Sequence, residues 1–186
     1  MNIGYKIARI KAKLFGRKGY RSAEIINRYF RKKGVSVGER CLIYSNIVTN
    51  EPYLIKIMDD AVISTEVAFV THDYSIHSVN PRIGNLFGEI VVGRNCFVGE
   101  RAVLMYGVTL TDNIIVAAGS VVTKSFTEQN IIIGGNPAKK IGTWDSLAKT
   151  GAQYGYAYPL TRQYALGHPE MLIHRKPYTG DSRTEK

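Results

Sequence analysis

The 186-residue chain is expected to fold as an all-β core, a parallel β-helix with three short strands to each coil, preceded by helices and followed by an extension. Three observations lead there. Aliphatic residues recur every six positions, small or β-branched residues hold the fifth place of the same frame, and segments with other patterns bound that frame on both sides. Neither a helix nor a single alternating strand produces a period of six.

From Val92 the sixes read VGRNCF, VGERAV, LMYGVT, LTDNII, VAAGSV and VTKSFT. Their first places hold Val92, Val98, Leu104, Leu110, Val116 and Val122, and their fifth places Cys96, Ala102, Val108, Ile114 and Ser120. The frame occurs earlier in VGERCL from Val37, IYSNIV from Ile43, IMDDAV from Ile57 and ISTEVA from Ile63, with Phe69 opening the next unit. An inward aliphatic residue and a turn every six residues describe a triangular coil, and such coils stack at the strand spacing of about 4.8 Å. One coil alone cannot bury its corners, so several are required. Residues 92–127 supply two uninterrupted coils and residues 37–72 roughly two more, with a short insertion around Asn50 to Tyr53. Cys41 and Cys96 then lie inside the prism as structural thiols, too few and too far apart for a disulfide framework or a metal knuckle.

The charge is unevenly placed. Residues 1–40 carry 12 Lys and Arg against Glu24 and Glu39, a net of +10, whereas residues 41–186 carry 13 basic and 13 acidic residues. Whatever the positive charge attracts is met by the N-terminal arm. Nucleic acid is not the expected partner, because no base-stacking motif accompanies the basic residues. No stretch reaches the roughly 18 to 20 apolar residues that span a bilayer, and the basic N-terminus lacks an apolar signal-peptide core, so a cytoplasmic location with reduced thiols is expected.

These sixes, together with VAAGSVVTK at 116–124 and GGNPAKKIG at 134–142, resemble the hexapeptide-repeat, left-handed parallel β-helix acyltransferases over residues 35–143. The nearest branch is that of the maltose, galactoside and xenobiotic acetyltransferases. The resemblance implies the left hand of the coil, which periodicity does not reveal. It also implies acetyl-coenzyme A as co-substrate, a saccharide acceptor, and a homotrimer with its site between adjacent subunits. The short chain and the THDYS loop are most similar to the polysaccharide and colanic-acid type, which implies surface-polysaccharide assembly.

Acetyl-coenzyme A is long and thin. A wall of small side chains, Ala117, Ala118, Gly119 and Ser120, suits its pantetheine arm, and Lys124, Lys139 and Lys140 suit its phosphates. The resemblance implies coenzyme contacts for Ala118, Thr123 and Lys124 in particular. Phe97 stands where relatives often carry a tryptophan beside the acyl group; it either walls the channel or packs. Where relatives carry a further basic residue after PAKKI, this chain has Gly142. The alternative for Gly119 and Gly134 to Pro137 is turn formation alone, with solvated lysines.

The frame stops after Phe69 and resumes near Val92, leaving an inserted loop at 73–90 that opens with His72 and Asp73. An excursion of this length inside a regular solenoid marks a site. Acetyl transfer to a hydroxyl needs a base beside the attacking oxygen, and imidazole suits neutral pH. The resemblance implies that role for His72, acting directly and without a covalent intermediate. Asp73 orients the ring, binds the acceptor or starts the turn. Arg82, Asn85 and Phe87 on the loop are expected to meet the acceptor or the neighbouring subunit. His72 and His77 also form an H-x4-H pair, the zinc spacing of the β-helical carbonic anhydrases. A zinc set needs at least three protein ligands, and the only other histidines, His168 and His174, lie in the tail, so no metal is expected.

Three segments are expected: a basic helical arm at 1–34, the β-helix at 35–143, and a Tyr-rich extension at 144–186. In the arm, Ile3, Ile7, Ile10 and Leu14 form one helical stripe, expected to pack on the β-helix or a neighbouring subunit, with attachment to an anionic membrane as the sharper alternative. A second helix is expected from an N-cap at Ser22 to Gly34, facing inward through Ile25, Ile26, Tyr29 and Phe30. In the extension, Tyr154, Tyr156 and Tyr158 alternate as an extended strand would, and the final DSRTEK is expected to be disordered. The leading expectation is an acetyl-coenzyme A-dependent O-acetyltransferase acting on a saccharide. An N-acetyltransferase of an amino sugar or antibiotic is the near rival, and a non-catalytic β-helix scaffold the distant one.

Overall fold

The computed structural model describes residues 3–15, 20–155 and 167–175. Two antiparallel helices come first, α1 (Ile3–Phe15) and α2 (Tyr20–Lys32). The coils follow. The first holds β1 (Ser36–Val37) and β2 (Leu42–Ile43), and the second β3 (Ile55–Ile57), β4 (Val62–Ile63) and β5 (Ala68–Val70). The inserted loop carries β6 (His72–Asp73), the short helix α3 (Ile76–Val79) and β7 (Leu86–Phe87). The third coil holds β8 (Ile90–Val92), β9 (Phe97–Val98) and β10 (Val103–Met105), and the fourth β11 (Thr109–Leu110), β12 (Ile114–Val116) and β13 (Val121–Val122). A hairpin of β14 (Ile131–Gly135) and β15 (Ala138–Thr143) closes the stack.

Three sheets run along the prism. One is β1-β3-β8-β11, the second β2-β4-β9-β12-β14-β15, and the third β5-β10-β13, all parallel except the final hairpin. The hexapeptide frame is legible in the burial. Val92, Val98, Leu104, Leu110, Val116 and Val122 are buried in the first places, and Cys96, Ala102, Val108, Ile114 and Ser120 in the fifth. The sequence reading of the coils, of both thiols as core residues, and of the break at Asn50 to Tyr53 therefore describes the architecture. Cys41 donates its S–H to Met58 O and Cys96 to Thr111 O, and burial pushes the Cys96 thiol up to about 11. Neither thiol is poised as a nucleophile.

The coil turns at residues in the left-handed backbone region. Arg40, Asp60, Asn95, Asn113 and Asn130 do so between the first and second sheets, and Glu66, Arg101 and Gly119 between the second and third. Side chains at these corners form ladders, with Arg40 paired to Asp60, Asn95 donating to Asn113 Oδ1 at 2.9 Å, and Arg101 paired to Glu66.

Helix α2 packs against β1 and β2 and covers the open end of the stack, as a solenoid requires. Ile26 and Phe30 are buried, with Ile25 and Tyr29 partly so, as expected. Asn27 Nδ2 donates to Cys41 O at 2.9 Å, fastening the helix to the first corner. The N-cap expected at Ser22 is corrected, and of the places expected for the α1 stripe the chain's own β-helix is ruled out. Ser22 lies inside α2 and donates to Ala12 O of α1 rather than capping the helix. In α1 the residues turned to the protein are Tyr5, Ala8 and Ala12, while Ile3, Ile7, Ile10 and Leu14 are exposed. Tyr5 wins the inward position because its ring sits against Tyr29 and Phe30 and its hydroxyl donates to Tyr44 O at 2.9 Å. The two alanines let the helix backbones approach closely.

The chain divides into compact units at Trp144. The second contains most of α4 (Trp144–Tyr154) and a 3₁₀ turn at Pro169–Met171. Tyr154 ends a helix rather than an extended strand, and Tyr156, Tyr158 and DSRTEK lie outside the described residues. No helix among the described residues is long and apolar enough to cross a membrane.

Candidate active site

The third corner of the prism, between the third sheet and the first, is where the frame is interrupted. Registers Val70↔Met105 and Leu104↔Val122 place the ends of β5, β10 and β13 in one row. The residues that leave those strands, Thr71 with His72, Tyr106 with Gly107, and Thr123 with Lys124, follow one another up this edge. Successive coils are about 4.8 Å apart, so Lys124 stands roughly 10 Å along the axis from Thr71. Gly88 returns the inserted loop to the stack through its N–H to Thr71 O, and a Cβ there would meet Gly107 N at 2.3 Å.

His72 leaves β5 into the antiparallel pair β6–β7, opposite Phe87, whose ring is 5.9 Å from the imidazole. Its Nδ1 lies 2.8 Å from Glu51 Oε2. Glu51 comes from the first coil, at the insertion noted between Asn50 and Tyr53. Pro52 starts a 3₁₀ turn there and keeps that segment from forming a third strand. The same Oε2 accepts from buried Thr71 Oγ1 at 2.7 Å; Thr71 Oγ1 is 2.6 Å from Thr49 Oγ1, which accepts from Glu51 N–H. These contacts close a ring of hydrogen bonds. The Glu51 side chain is 13% exposed against 36% for His72. The Thr71 hydroxyl foremost, and the imidazole after it, hold the Glu51 carboxyl below the usual 4.5. An ionised carboxylate accepts only, so Nδ1 carries a proton, and in the neutral ring the lone pair is on Nε2.

The orienting role considered for Asp73 is thus occupied by Glu51. Asp73 Oδ1 accepts Ser75 N–H at 2.8 Å and Oδ2 accepts Tyr106 OH at 3.3 Å, so it starts the turn and ties the loop to the third coil. Hydrogen bonds from Ser75 are the main reason its carboxyl stays below the ordinary value. His77 donates Nδ1–H to Ile83 O at 3.0 Å and stacks on Tyr74, so the H-x4-H pair does not converge. Among the described residues no three His, Cys, Asp or Glu side chains gather as a metal set would. Arg82 is exposed on the loop, and Asn85 Oδ1 is enclosed with no hydrogen-bond partner among the described residues.

The residues expected at the coenzyme are distributed over two edges. Thr123 and Lys124 share the His72 edge and are exposed. Ala118 and Gly119 form the corner between the second and third sheets, Gly119 with φ 71 in the place held one coil below by Arg101. Phe97, half exposed, lies on the second sheet beside Val62 and Ile115. The register there stacks Gly99, Ala117 and Gly134 in one file beyond Val98, Val116 and Ile133, and a Cβ on Gly99 would meet Ala118 N at 2.6 Å. Ser120 does not belong to that surface. It is buried, and its hydroxyl donates to Ala117 O and accepts from Gly135 N–H. Lys139 is exposed on β15, opposite Gly134, and Lys140 is paired with Glu128. Asn136 and Pro137 turn the β14–β15 hairpin, as expected.

The structure is a three-faced parallel β-helix with a histidine paired to a carboxylate at an interrupted corner. Residues 89–124 match the family described as the hexapeptide repeat of succinyl-transferase. Protein CapG of Staphylococcus aureus is 44% identical over 117 residues, 60% of this chain and 67% of CapG. Galactoside O-acetyltransferase of Escherichia coli K12 is 27% identical over 108 residues, 58% of this chain and 53% of that enzyme. The chain thus spans about half to two thirds of the length of these relatives. Among solved structures, a hexapeptide-repeat acetyltransferase of Vibrio cholerae complexed with acetyl coenzyme A matches 76% of this chain and 85% of its own, with TM-score 0.55 and 18% identity, a likeness of fold. The chain belongs to the hexapeptide-repeat acetyltransferase family, and its reaction class is acyl transfer.

Proposed function

We propose that the protein is an acetyl-coenzyme A-dependent O-acetyltransferase of a saccharide hydroxyl, with His72 as general base and Glu51 as its positioning residue. The Glu51–His72 contact carries this reading. A solvated loop histidine has no need of a mostly buried carboxylate braced by two threonine hydroxyls, whereas a base needs its ring held in one tautomer. The acceptor hydroxyl gives its proton to His72 Nε2 as its oxygen forms a bond to the thioester carbonyl carbon. The carbon–sulfur bond then breaks, and the coenzyme A thiolate takes the proton back from Nε2. Throughout, Glu51 keeps the Nδ1 proton in place and offsets the charge on the ring.

Lys124 and Thr123, farther up the same edge, suit the phosphate end and the arm of the coenzyme, and the file of Gly99, Ala117 and Gly134 suits close approach of the arm on the other edge. One chain keeps these edges on opposite sides of its third sheet. A channel using both requires a second copy, which favours a trimer with the site between subunits and Phe97, Ala118 and Gly119 facing the neighbour's His72. The left hand of the coil belongs to the same reading. Saccharide acceptors are favoured because the galactoside enzyme is a relative. Arg82, Asn85 and Asp73, on the same loop, are the side chains that would meet such an acceptor, in keeping with surface-polysaccharide synthesis.

The test is release of free thiol from acetyl-coenzyme A over a panel of sugars and amino sugars. For His72→Ala a loss of at least about 100-fold in kcat is expected, with coenzyme affinity kept. Unchanged turnover would remove His72 from the mechanism, and transfer to amines alone would replace O- by N-acetylation.

A further inference from the structure

Helix α1 presents two opposite faces. Toward the protein it turns Tyr5, Ala8 and Ala12, which are buried. At 100° per residue, Ile3, Ile7, Ile10 and Leu14 fall within one narrow stripe on the other side, and they are 74%, 48%, 57% and 69% exposed. Lys6 and Lys13 flank one border of that stripe and Lys11 the other, all three exposed. None of Lys6, Arg9, Lys11 and Lys13 has an acidic partner among the described residues. Residues 1–40 hold 12 basic and two acidic residues in all.

We propose that α1 lies flat on an anionic phospholipid surface, its isoleucine stripe entering the acyl boundary and its lysines meeting the headgroup phosphates. An apolar face bordered on both sides by unpaired cations is complementary to a layer that is apolar inside and anionic at its rim. A second copy of the chain fits less well, because residues 41–186 are charge-balanced and residues 1–40 would repel their own kind. The orientation of α1 permits this contact without unfolding, since Tyr5, Ala8 and Ala12 keep the helix on the protein while the opposite side stays open. The proposal goes beyond acetyl transfer and does not depend on it.

The experiment is co-sedimentation of the full chain with vesicles of equal parts phosphatidylglycerol and phosphatidylcholine, and with vesicles of phosphatidylcholine alone. The expected preference for the anionic vesicles is at least about tenfold at low salt, shrinking as salt is raised. Lys6→Glu with Lys13→Glu should abolish that preference. Ile7→Glu with Ile10→Glu should weaken binding by roughly 100-fold, from the loss of two inserted side chains. Both substitutions are at exposed positions, so the far-ultraviolet circular dichroism should be unchanged. Equal partition onto both vesicle types would overturn the proposal. So would a smaller oligomer for the isoleucine variant in sedimentation equilibrium with no vesicle binding by the unaltered chain, which would assign the face to a second copy.

Discussion

The third and fourth coils and the His72 edge are built from one repeat but obey different constraints. In the coils, residues 90–122, every sixth residue is buried and every fifth place is small or β-branched, and any aliphatic residue of suitable volume would serve. At the His72 edge the repeat is broken twice, by the turn at Pro52–Leu54 and by the loop that carries α3, and each break delivers one half of a polar pair. On the proposed reading, stability resides in the regular part and chemistry in the interruptions. A solenoid can afford this division because each coil needs only its neighbours.

Truncating a side chain inside the regular part should separate the two most sharply. Leu104→Ala, at a fully buried first place, is expected to cost about 2–5 kcal/mol of stability, seen as a lower denaturant midpoint, with kcat per folded molecule little changed. His72→Ala should give the reverse, the loss in kcat stated above with a much smaller change in midpoint. An intermediate case is Glu51→Gln, for which kcat should fall roughly tenfold with little change in KM, because the ring loses the carboxylate that opposes its charge.

Glu51 also links the edge to pH. Its folded carboxyl is held below 4.5, so the stability it contributes is present above that value and lost as the pH falls through the depressed one. The difference in denaturant midpoint between the unaltered chain and Glu51→Gln should be present at pH 7 and shrink on acidification below 4.5. A difference that stayed constant with pH would mean that the ring of hydrogen bonds does not discriminate between the carboxylate and the acid. The smallest effect is expected for Lys124→Ala, about a fivefold rise in the coenzyme Kd, since an exposed ammonium acts as a screened point charge. An unchanged Kd would move the phosphates away from this edge.

The coils were legible because their signal is local and repeated. Six residues carry the whole rule, so ten copies of it overcome the noise in any one. His72 was legible as a candidate from the same logic, since a long break in a regular frame attracts attention. Glu51 was not. It lies in the shorter break, whose position the sequence shows, but Asp73 is the acidic residue nearer to His72 in sequence and competes for the orienting role. The available signal was an acidic residue before a proline in an insertion, and it gains meaning only when the stacking of coils is followed in three dimensions. Which face of α1 meets its own chain was not legible for a related reason. Hydrophobic period identifies a stripe but not its partner, and here a tyrosine and two alanines fit against α2 better than four larger aliphatic side chains.

Sequence alone settled the period, the three-sided coil, the inward residues and the segregation of positive charge into the arm, all of them properties of neighbours along the chain. Folding decided which distant groups meet. Glu51 and His72 are 21 residues apart, about one circuit of the prism plus its insertion, and only coil stacking brings their side chains to 2.8 Å. It also decided which side of α1 is covered, because burial depends on the shape of the opposing surface, and no periodicity within a helix contains that shape.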